Sequence, residues 1–378
     1  MTALDFSTTP RLILREGATG ALPDLFRQAG ARHVAVVTDA GLVRAGLVEP
    51  VVAQLRAAGL AVTVHDAVVA DPPEPVIEAA VARLQAAEVD AVLGLGGGSA
   101  MDTAKLVAYL LRSPAPLAEL YGIGLAQGQR LPLILAPTTA GTGSEVTPIS
   151  IVTTRSDEKK GVVSARLLPD VAVLDPLLTL GLPPEVTAAT GIDAMVHAIE
   201  AFTSARLKNP VSDVLAKQAL ALLSANLPKV LADGGNVAAR GDMLLGSCLA
   251  GMAFANAPVA AVHALAYPLG GRYHIPHGLS NALMLLPVLR FNLSAAAPLY
   301  AELAPCVGAP TADADAFLAA IAALVAGCAM PKRLHELQVT RESLPQLARD
   351  AMQQQRLLIN NPVPLTEADA LRLYEDAY

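Results

Sequence analysis

Tryptophan is absent from the 378 residues, aromatic residues make up 3% and charged residues only 16%, while 53% are hydrophobic. That balance excludes a disordered or fibrous chain, which buries too little apolar surface to order itself. Lys and Arg number 27 against 34 Asp and Glu, a net charge of −7. With no basic run, a nucleic-acid partner is not expected. Only three cysteines occur, Cys248, Cys306 and Cys328, an odd and widely spaced set in apolar surroundings. They read as thiols of a reducing compartment, not a disulfide framework or zinc knuckle. The first fifteen residues hold charges and a proline where a signal peptide would be basic and then unbrokenly apolar, so a cytoplasmic location is expected.

Charge is also missing between Asp242 and Arg272, a stretch long enough to span a bilayer. Its interior carries Asn256, Pro258, His263 and Tyr267, is built largely of Ala and Gly, and has no basic flank. Buried helices of a soluble protein are expected there, and no membrane contact.

What is present divides the chain in two. From Arg32 to about Asp175, β-rich runs at 33–38, 61–65, 91–95, 131–136, 149–154 and 171–174 alternate with helical patterns at 49–58, 74–87 and 100–111. Such alternation predicts parallel strands with helical crossovers. Beyond Pro176 the strand signal ends. Successive Ala/Leu-rich helices follow, with starts expected at Pro184, Pro210, Asn236, Pro258, Ser280, Thr311, Arg341 and Thr366. The expected domains are therefore 1–179, α/β, and 180–378, all-helical.

In the first half, the strand at 91–95 runs directly into Gly96, Gly97, Gly98 and Ser99 and then a helix. Glycines there allow backbone N–H groups to approach an anion, and the helix N-terminus adds partial positive charge, so the turn reads as a phosphate cradle. The alternative is a tight turn that merely needs positive φ. The run matches neither GxGxxG nor a P-loop. A second loop, PTTAGTGSEVT at 137–147, places five hydroxyls and two glycines after a strand, where open α/β sheets bind ligands; it could equally be an ordinary Ser/Thr-rich turn. Two such loops on one edge suggest a dinucleotide. Asp39, just past the first strand, could accept hydrogen bonds from a ribose and would repel a 2′-phosphate, which favours NAD over NADP; or it could simply start the next turn.

In the second half, Asp193 and His197 are four residues apart in a segment of helical composition and share a face. His263 and His277 follow in charge-poor surroundings. One carboxylate and three imidazoles make a full protein ligand set for Fe²⁺ or Zn²⁺. Any one His taken alone reads first as a hydrogen-bonded core or surface residue. A buried unpaired Asp would cost several kcal/mol, and a neighbouring cation removes that penalty.

Four motifs, GGGSAMDTAK at 96–105, PTTAGTGSEVT at 137–147, GIDAMVHAIE at 191–200, and HALAYPLGG at 263–271 with PHG at 276–278, resemble the iron-containing (group III) alcohol dehydrogenases from end to end. The resemblance implies an N-terminal dinucleotide domain followed by an all-helical metal domain. It implies that Asp193, His197, His263 and His277 ligate the metal, that Gly97, Gly98 and Ser99 hold the pyrophosphate, and that Asp39, Asp102, Thr138, Thr139, Thr142, Thr147 and Lys160 line the NAD site. On charge alone the run around Lys160 reads as a solvated loop. Phe254 is either a wall of the substrate pocket or a core aromatic. Many members carry a further His four residues after the one matching His263; here that position is Tyr267, so Tyr267, His274 or a water would take its part in proton relay. The maleylacetate reductase branch lacks this Asp/His set, whereas all four residues stand here. The implied activity is NAD-linked interconversion of a primary or short-chain alcohol and its aldehyde or ketone, with Fe²⁺ or Zn²⁺, by a cytoplasmic homodimer. Glycerol dehydrogenase-like polyol oxidation, dehydroquinate synthase and a catalytically silent metal- or nucleotide-binding protein are the rivals. The last two differ by testable signs: a basic sugar-phosphate pocket, and no turnover.

Overall fold

The computed structural model describes residues 4–156 and 158–378. Asp157, in the charged run before Lys160, lies outside them, as do residues 1–3 of the segment weighed as a signal peptide. The chain forms two compact units. One is made of Ser7–Thr139 and Gly143–Gly181; the other is chiefly Leu182–Tyr378 together with Ala140–Thr142. The chain thus passes between units after Gly181, and the tip of the hydroxyl-rich loop groups with the helices.

The α/β unit is built on a six-stranded sheet of β1 (Leu12–Leu14), β2 (His33–Val37), β3 (Ala61–His65), β4 (Ala91–Gly96), β6 (Leu133–Pro137) and β9 (Val171–Leu174), in the order β1-β9-β6-β4-β2-β3. Every pairing in it is parallel. Helices α1 (Leu22–Gln28), α2 (Ala40–Arg44), α3 (Val48–Ala57), α4 (Glu74–Ala86) and α5 (Gly98–Leu110) accompany the strands. One apolar cluster joins Phe26, Val51 and Leu55 to Val34, Val36 and Leu93, and another joins Leu84, Met101 and Ala104 to Ala35, Val37 and Val92. Alternate residues of the same strands feed opposite clusters, so the sheet is covered on both faces. That explains why β2, β4, β6 and β9 read as unbroken apolar runs and not as alternating ones.

A separate three-stranded sheet contains β5 (Gly122–Ile123), β7 (Ile149–Thr153) and β8 (Lys159–Val163), with β7 and β8 antiparallel. The expected strand at 149–154 therefore lies outside the main sheet. Both β8, expected as a solvated loop, and the edge strand β1 were missed. Each is short, and each is specified by its pairing partner more than by its own residues.

The helical unit comprises α6 (Pro184–Thr203), α7 (Pro210–Ala232), α8 (Val237–Asn256), α9 (Ala261–Tyr273), α10 (His277–Leu303), α11 (Ala314–Gly327), α12 (Leu344–Ala351), α13 (Gln355–Leu358) and α14 (Glu367–Ala377). Their starts follow local chemistry. Asn209, Asn236 and Asp313 accept a backbone N–H as N-caps, and Thr366 with Asp369 forms a capping box. The start expected at Ser280 lies at His277 instead, because Pro276 supplies the N-cap position. α8 and the segment His277–Val307 are long and apolar enough to cross a membrane by length and composition. Yet Met243, Ala250, Met284 and Leu285 on them are buried in the single helical core, beside Phe202 and Tyr300.

Candidate metal and nucleotide sites

Three helices of the second unit converge on one point. α6 presents Asp193 and His197 one turn apart, α9 presents His263 in its first turn, and α10 opens with His277. One donor atom from each of the four lies within 4.8 Å of the others. Asp193, His197 and His263 are buried, whereas the His277 side chain is 30% exposed, which makes its side the open one.

Two of the imidazoles are oriented by hydrogen bonds on the ring nitrogen away from the cluster. His197 Nδ1 lies 3.2 Å from the carbonyl oxygen of Gly141, and His263 Nδ1 lies 2.6 Å from Glu200 Oε2. An N–H donated to each acceptor leaves Nε2 as the lone-pair nitrogen. The Glu200 carboxylate is itself held by the backbone N–H groups of Ala260 (2.9 Å) and Val262 (2.7 Å). Gly141 reaches α6 because it lacks a side chain: a Cβ there would come within 2.8 Å of Thr190 Cβ. Phe254 stacks on His197, with ring centroids 4.3 Å apart.

The electrostatics suit a cation. Burial pushes His197 down to about 3, against the upward pull of Asp193, so its imidazole is neutral near pH 7. Burial acts to raise Asp193, yet His197, His277, His263 and the Asn281 amide together hold its carboxyl below the ordinary range. A buried carboxylate ringed by three nitrogen donors, with a neutral amide as its nearest hydrogen-bond donor at 2.5 Å, lacks only a positive charge. The donor set, one oxygen and three nitrogens, fits Fe²⁺ or Zn²⁺.

The two side chains named for a proton relay sit in different settings. The Tyr267 ring lies 5.9 Å from that of His277. His274 sits exposed in the left-handed C-cap of α9 (φ 54°), its backbone N–H bonded to Gly270.

In the α/β unit, β2 leads to β3 on one side and the chain then returns to place β4 on the other, so the switch point lies between β2 and β4. Asp39 and the glycine turn follow those two strands, at the crevice where such sheets take ligands. Gly96 has φ +154°, and a Cβ on it would meet Ala100 Cβ at 2.7 Å. Only glycine serves there. Asp39 caps α2 through Oδ1, which accepts from Leu42 N at 3.0 Å, while its Oδ2 lies 3.9 Å from where a Gly96 Cβ would be. Both readings of Asp39, turn starter and ligand-facing carboxylate, are therefore compatible with one conformation.

The two polar loops meet. A Cβ on Gly97 would lie 3.6 Å from Thr139 Oγ1, and Thr138 N donates to Gly96 O. Gly98 and Ser99 form the first turn of α5, and Ser99 Oγ accepts from Asp71 N at 3.2 Å. Thr142 belongs with the helical unit. Asp102 and Thr147 share a network with Lys105, a fully buried residue without an assigned role in the motif at 96–105. Lys105 Nζ donates to Ser144 Oγ (2.7 Å), Thr147 Oγ1 (3.2 Å) and Ile149 O (2.7 Å), and pairs with Asp102 at 3.5 Å. Asp102 also accepts from Ser144 Oγ and Ile151 N. These contacts tie the hydroxyl-rich loop to α5. Lys160 lies on the smaller sheet, 48% exposed and paired with Glu158; its neighbour Lys159 pairs with Asp71 at 2.6 Å.

Glu200, Asn281 and Lys105 are the residues that sequence reasoning left without a role. For Glu200 and Asn281 the signal was the spacing: Glu200 falls seven after Asp193, and Asn281 four after His277, each on the face that carries the ligand.

Comparison with known proteins gives this arrangement its family. Residues 9–176 match the model described as iron-containing alcohol dehydrogenase, and residues 187–378 match the C-terminal model of the Fe-containing alcohol dehydrogenase family. The chain belongs to the iron-containing alcohol dehydrogenase family, a family of oxidoreductases, and is an enzyme of that class. It is 43% identical over 371 residues to long-chain-alcohol dehydrogenase 1 of Geobacillus thermodenitrificans, covering 96% of this chain and 93% of that protein. Among solved structures it is similar to a 1,3-propanediol oxidoreductase (TM-score 0.96, 34% identity, all of both chains). It is also similar to sulfoacetaldehyde reductase of Bifidobacterium kashiwanohense in complex with NAD⁺ (TM-score 0.91, 31% identity, 100% and 99% of the two chains).

Proposed function

We propose that the protein interconverts a primary or short-chain alcohol and its carbonyl compound by hydride exchange with NAD, using Fe²⁺, or Zn²⁺ as the alternative, held by Asp193, His197, His263 and His277. The observation that carries this reading is the convergence of those four donors within 4.8 Å, two of them with their tautomer set from behind. Bound there, a divalent cation acts as a Lewis acid that favours ionisation of the alcohol hydroxyl. NAD supplies the hydride acceptor.

The chain's own residues do the placing. Asp193 contributes the one negative charge of the ligand set. Glu200 and the Gly141 carbonyl keep the His263 and His197 rings in fixed orientation, so little reorganisation is needed on loading. Phe254 covers one face of His197 and excludes water from it. The exposed side of His277 is where an alcohol enters, and Tyr267 beside it holds or passes the hydroxyl proton at its phenolic oxygen. On the nucleotide side, Gly97, Gly98 and Ser99 present the N-terminus of α5 to the pyrophosphate, with Thr138, Thr139 and Lys160 lining the site and Asp39 selecting NAD through the ribose. Asp102 and Thr147 serve that site by bracing the loop through Lys105. Three widely spaced cysteines, Cys248, Cys306 and Cys328, fit a reducing compartment, and we place the enzyme in the cytoplasm. A homodimer rests on the family resemblance, and light scattering checks it.

The test is NADH formation at 340 nm with ethanol, propanediols and longer alcohols after Fe²⁺ or Zn²⁺ loading. Wild type is expected to turn over. Asp193→Ala and His277→Ala are expected to lose both metal and turnover while keeping their circular dichroism. A flat trace with every alcohol alongside normal NAD binding, or full turnover in both variants, overturns the reading.

A further inference from the structure

Asn281 is fully buried one turn after His277 on α10. Its Nδ2 lies 2.5 Å from Asp193 Oδ1, 3.2 Å from His263 Nε2 and 3.2 Å from His277 Nε2. Its Oδ1, on the other end of the same amide, is buried with no hydrogen-bond partner among the described residues. Three atoms of the candidate ligand set thus crowd a group with only two hydrogens; Asp193 Oδ1 and His263 Nε2 accept, the role of His277 Nε2 depends on its tautomer, and the amide oxygen has nothing to accept. Native interiors avoid leaving a buried carbonyl unsatisfied.

The pattern makes sense if the amide stands in for a positive charge. Without a cation, the amide N–H is the electropositive group that the Asp193 and His263 lone pairs meet. With a divalent cation among those same donors, an N–H facing it is repelled, and the amide oxygen is the end that the charge attracts. The two ends are nearly isosteric, and a half-turn about the terminal side-chain torsion exchanges them. The partnerless Oδ1 is then satisfied, and the backbone need not move.

Building on the metal-site reading above, we propose that Asn281 is a fifth protein donor, turning Oδ1 to the cation when the site is loaded. An extra oxygen donor matters more to an ion that accepts five or six ligands than to Zn²⁺ in a tetrahedral site. Asn281 therefore biases the centre towards Fe²⁺.

The experiment compares full-length wild type, Asn281→Leu and Asn281→Asp by Fe²⁺ and Zn²⁺ binding and by the visible spectrum of the Co²⁺-loaded protein. Asn281→Leu, similar in shape but without a donor, is expected to lose about tenfold or more in Fe²⁺ affinity, with a clearly smaller loss for Zn²⁺. Its Co²⁺ bands should intensify towards the tetrahedral pattern. Asn281→Asp, which keeps an oxygen in place, is expected to retain Fe²⁺ binding. Unchanged Fe²⁺ affinity and Co²⁺ spectrum in Asn281→Leu overturn the proposal, as does equal loss in both variants, which would make the N–H the needed group. Should either variant misfold, an intense tetrahedral Co²⁺ spectrum in wild type overturns it and a weak higher-coordinate one supports it. Fe²⁺ binding that survives Asp193→Ala would instead remove the site reading itself, a result separable from any effect at Asn281.

Discussion

Glu200 touches no expected ligand atom that faces the cluster, yet it decides what His263 can do. Its carboxylate accepts from His263 Nδ1 and from two backbone N–H groups at the start of α9. It therefore fixes both the tautomer of the imidazole and the place where the helix carrying it begins. Glu200→Gln keeps the size but removes the charge that favours Nδ1–H. Metal affinity or turnover is expected to fall about 10- to 100-fold, read by metal content after dialysis and by initial rates; unchanged values would separate Glu200 from the site. At this scale Asp193 and His197 were legible because a four-residue spacing is a helical face whatever surrounds it. Glu200 lay in the same motif, but its role needs α9 to arrive beside it. His274 and Tyr267 were indistinguishable as relay candidates, because a left-handed cap and a helix interior point neighbouring side chains to different places.

At the scale of elements, α10 and α6 meet backbone to backbone. A Cβ on Gly278 would fall 2.5 Å from Ala189 O and 2.9 Å from Ala189 C, closer than any real contact. Gly278 follows His277 directly, so a side chain there must push the start of α10 away from the helix that holds Asp193 and His197. Gly278→Ala is expected to retain helical content and to bind Fe²⁺ at least about tenfold more weakly, since ligand geometry tolerates only small displacements. Far-UV circular dichroism and a metal titration check it; wild-type affinity would contradict the argument. The crossovers of the α/β unit were legible as elements, since doubly covered strands are continuous apolar runs. β8 was not, because Lys159 and Lys160 carry no apolar signal and the strand exists through its antiparallel pairing with β7. The same pairing explains why 149–154 left the main sheet.

For the molecule as a whole, acid and base stability turns on buried charge in the loop network. Glu145 is 2% exposed, and burial pushes its carboxyl from 4.5 up to about 7, tempered by a backbone hydrogen bond and by Lys105. The native state then binds more protons than the unfolded chain between those two values. Stability from this group is present at low pH and is lost as pH rises through that window. Glu145→Gln removes the dependence. The stability difference, variant minus wild type, is expected to grow by about 2 kcal/mol between pH 5 and pH 8, measured by denaturant unfolding at both pH values. A flat difference would show that Glu145 titrates normally. The sequence by itself determined the two-part organisation, the glycine turn at a strand's end and the candidate Asp/His set, because these depend on periodicity, on missing side chains and on residue type. Only the tertiary structure decided that the four candidates share one centre, that Glu200 and the Gly141 carbonyl set their tautomers, and that the Asn281 amide lies among them. Those facts depend on distances between helices far apart in the chain, which arise from packing and are encoded in no local pattern.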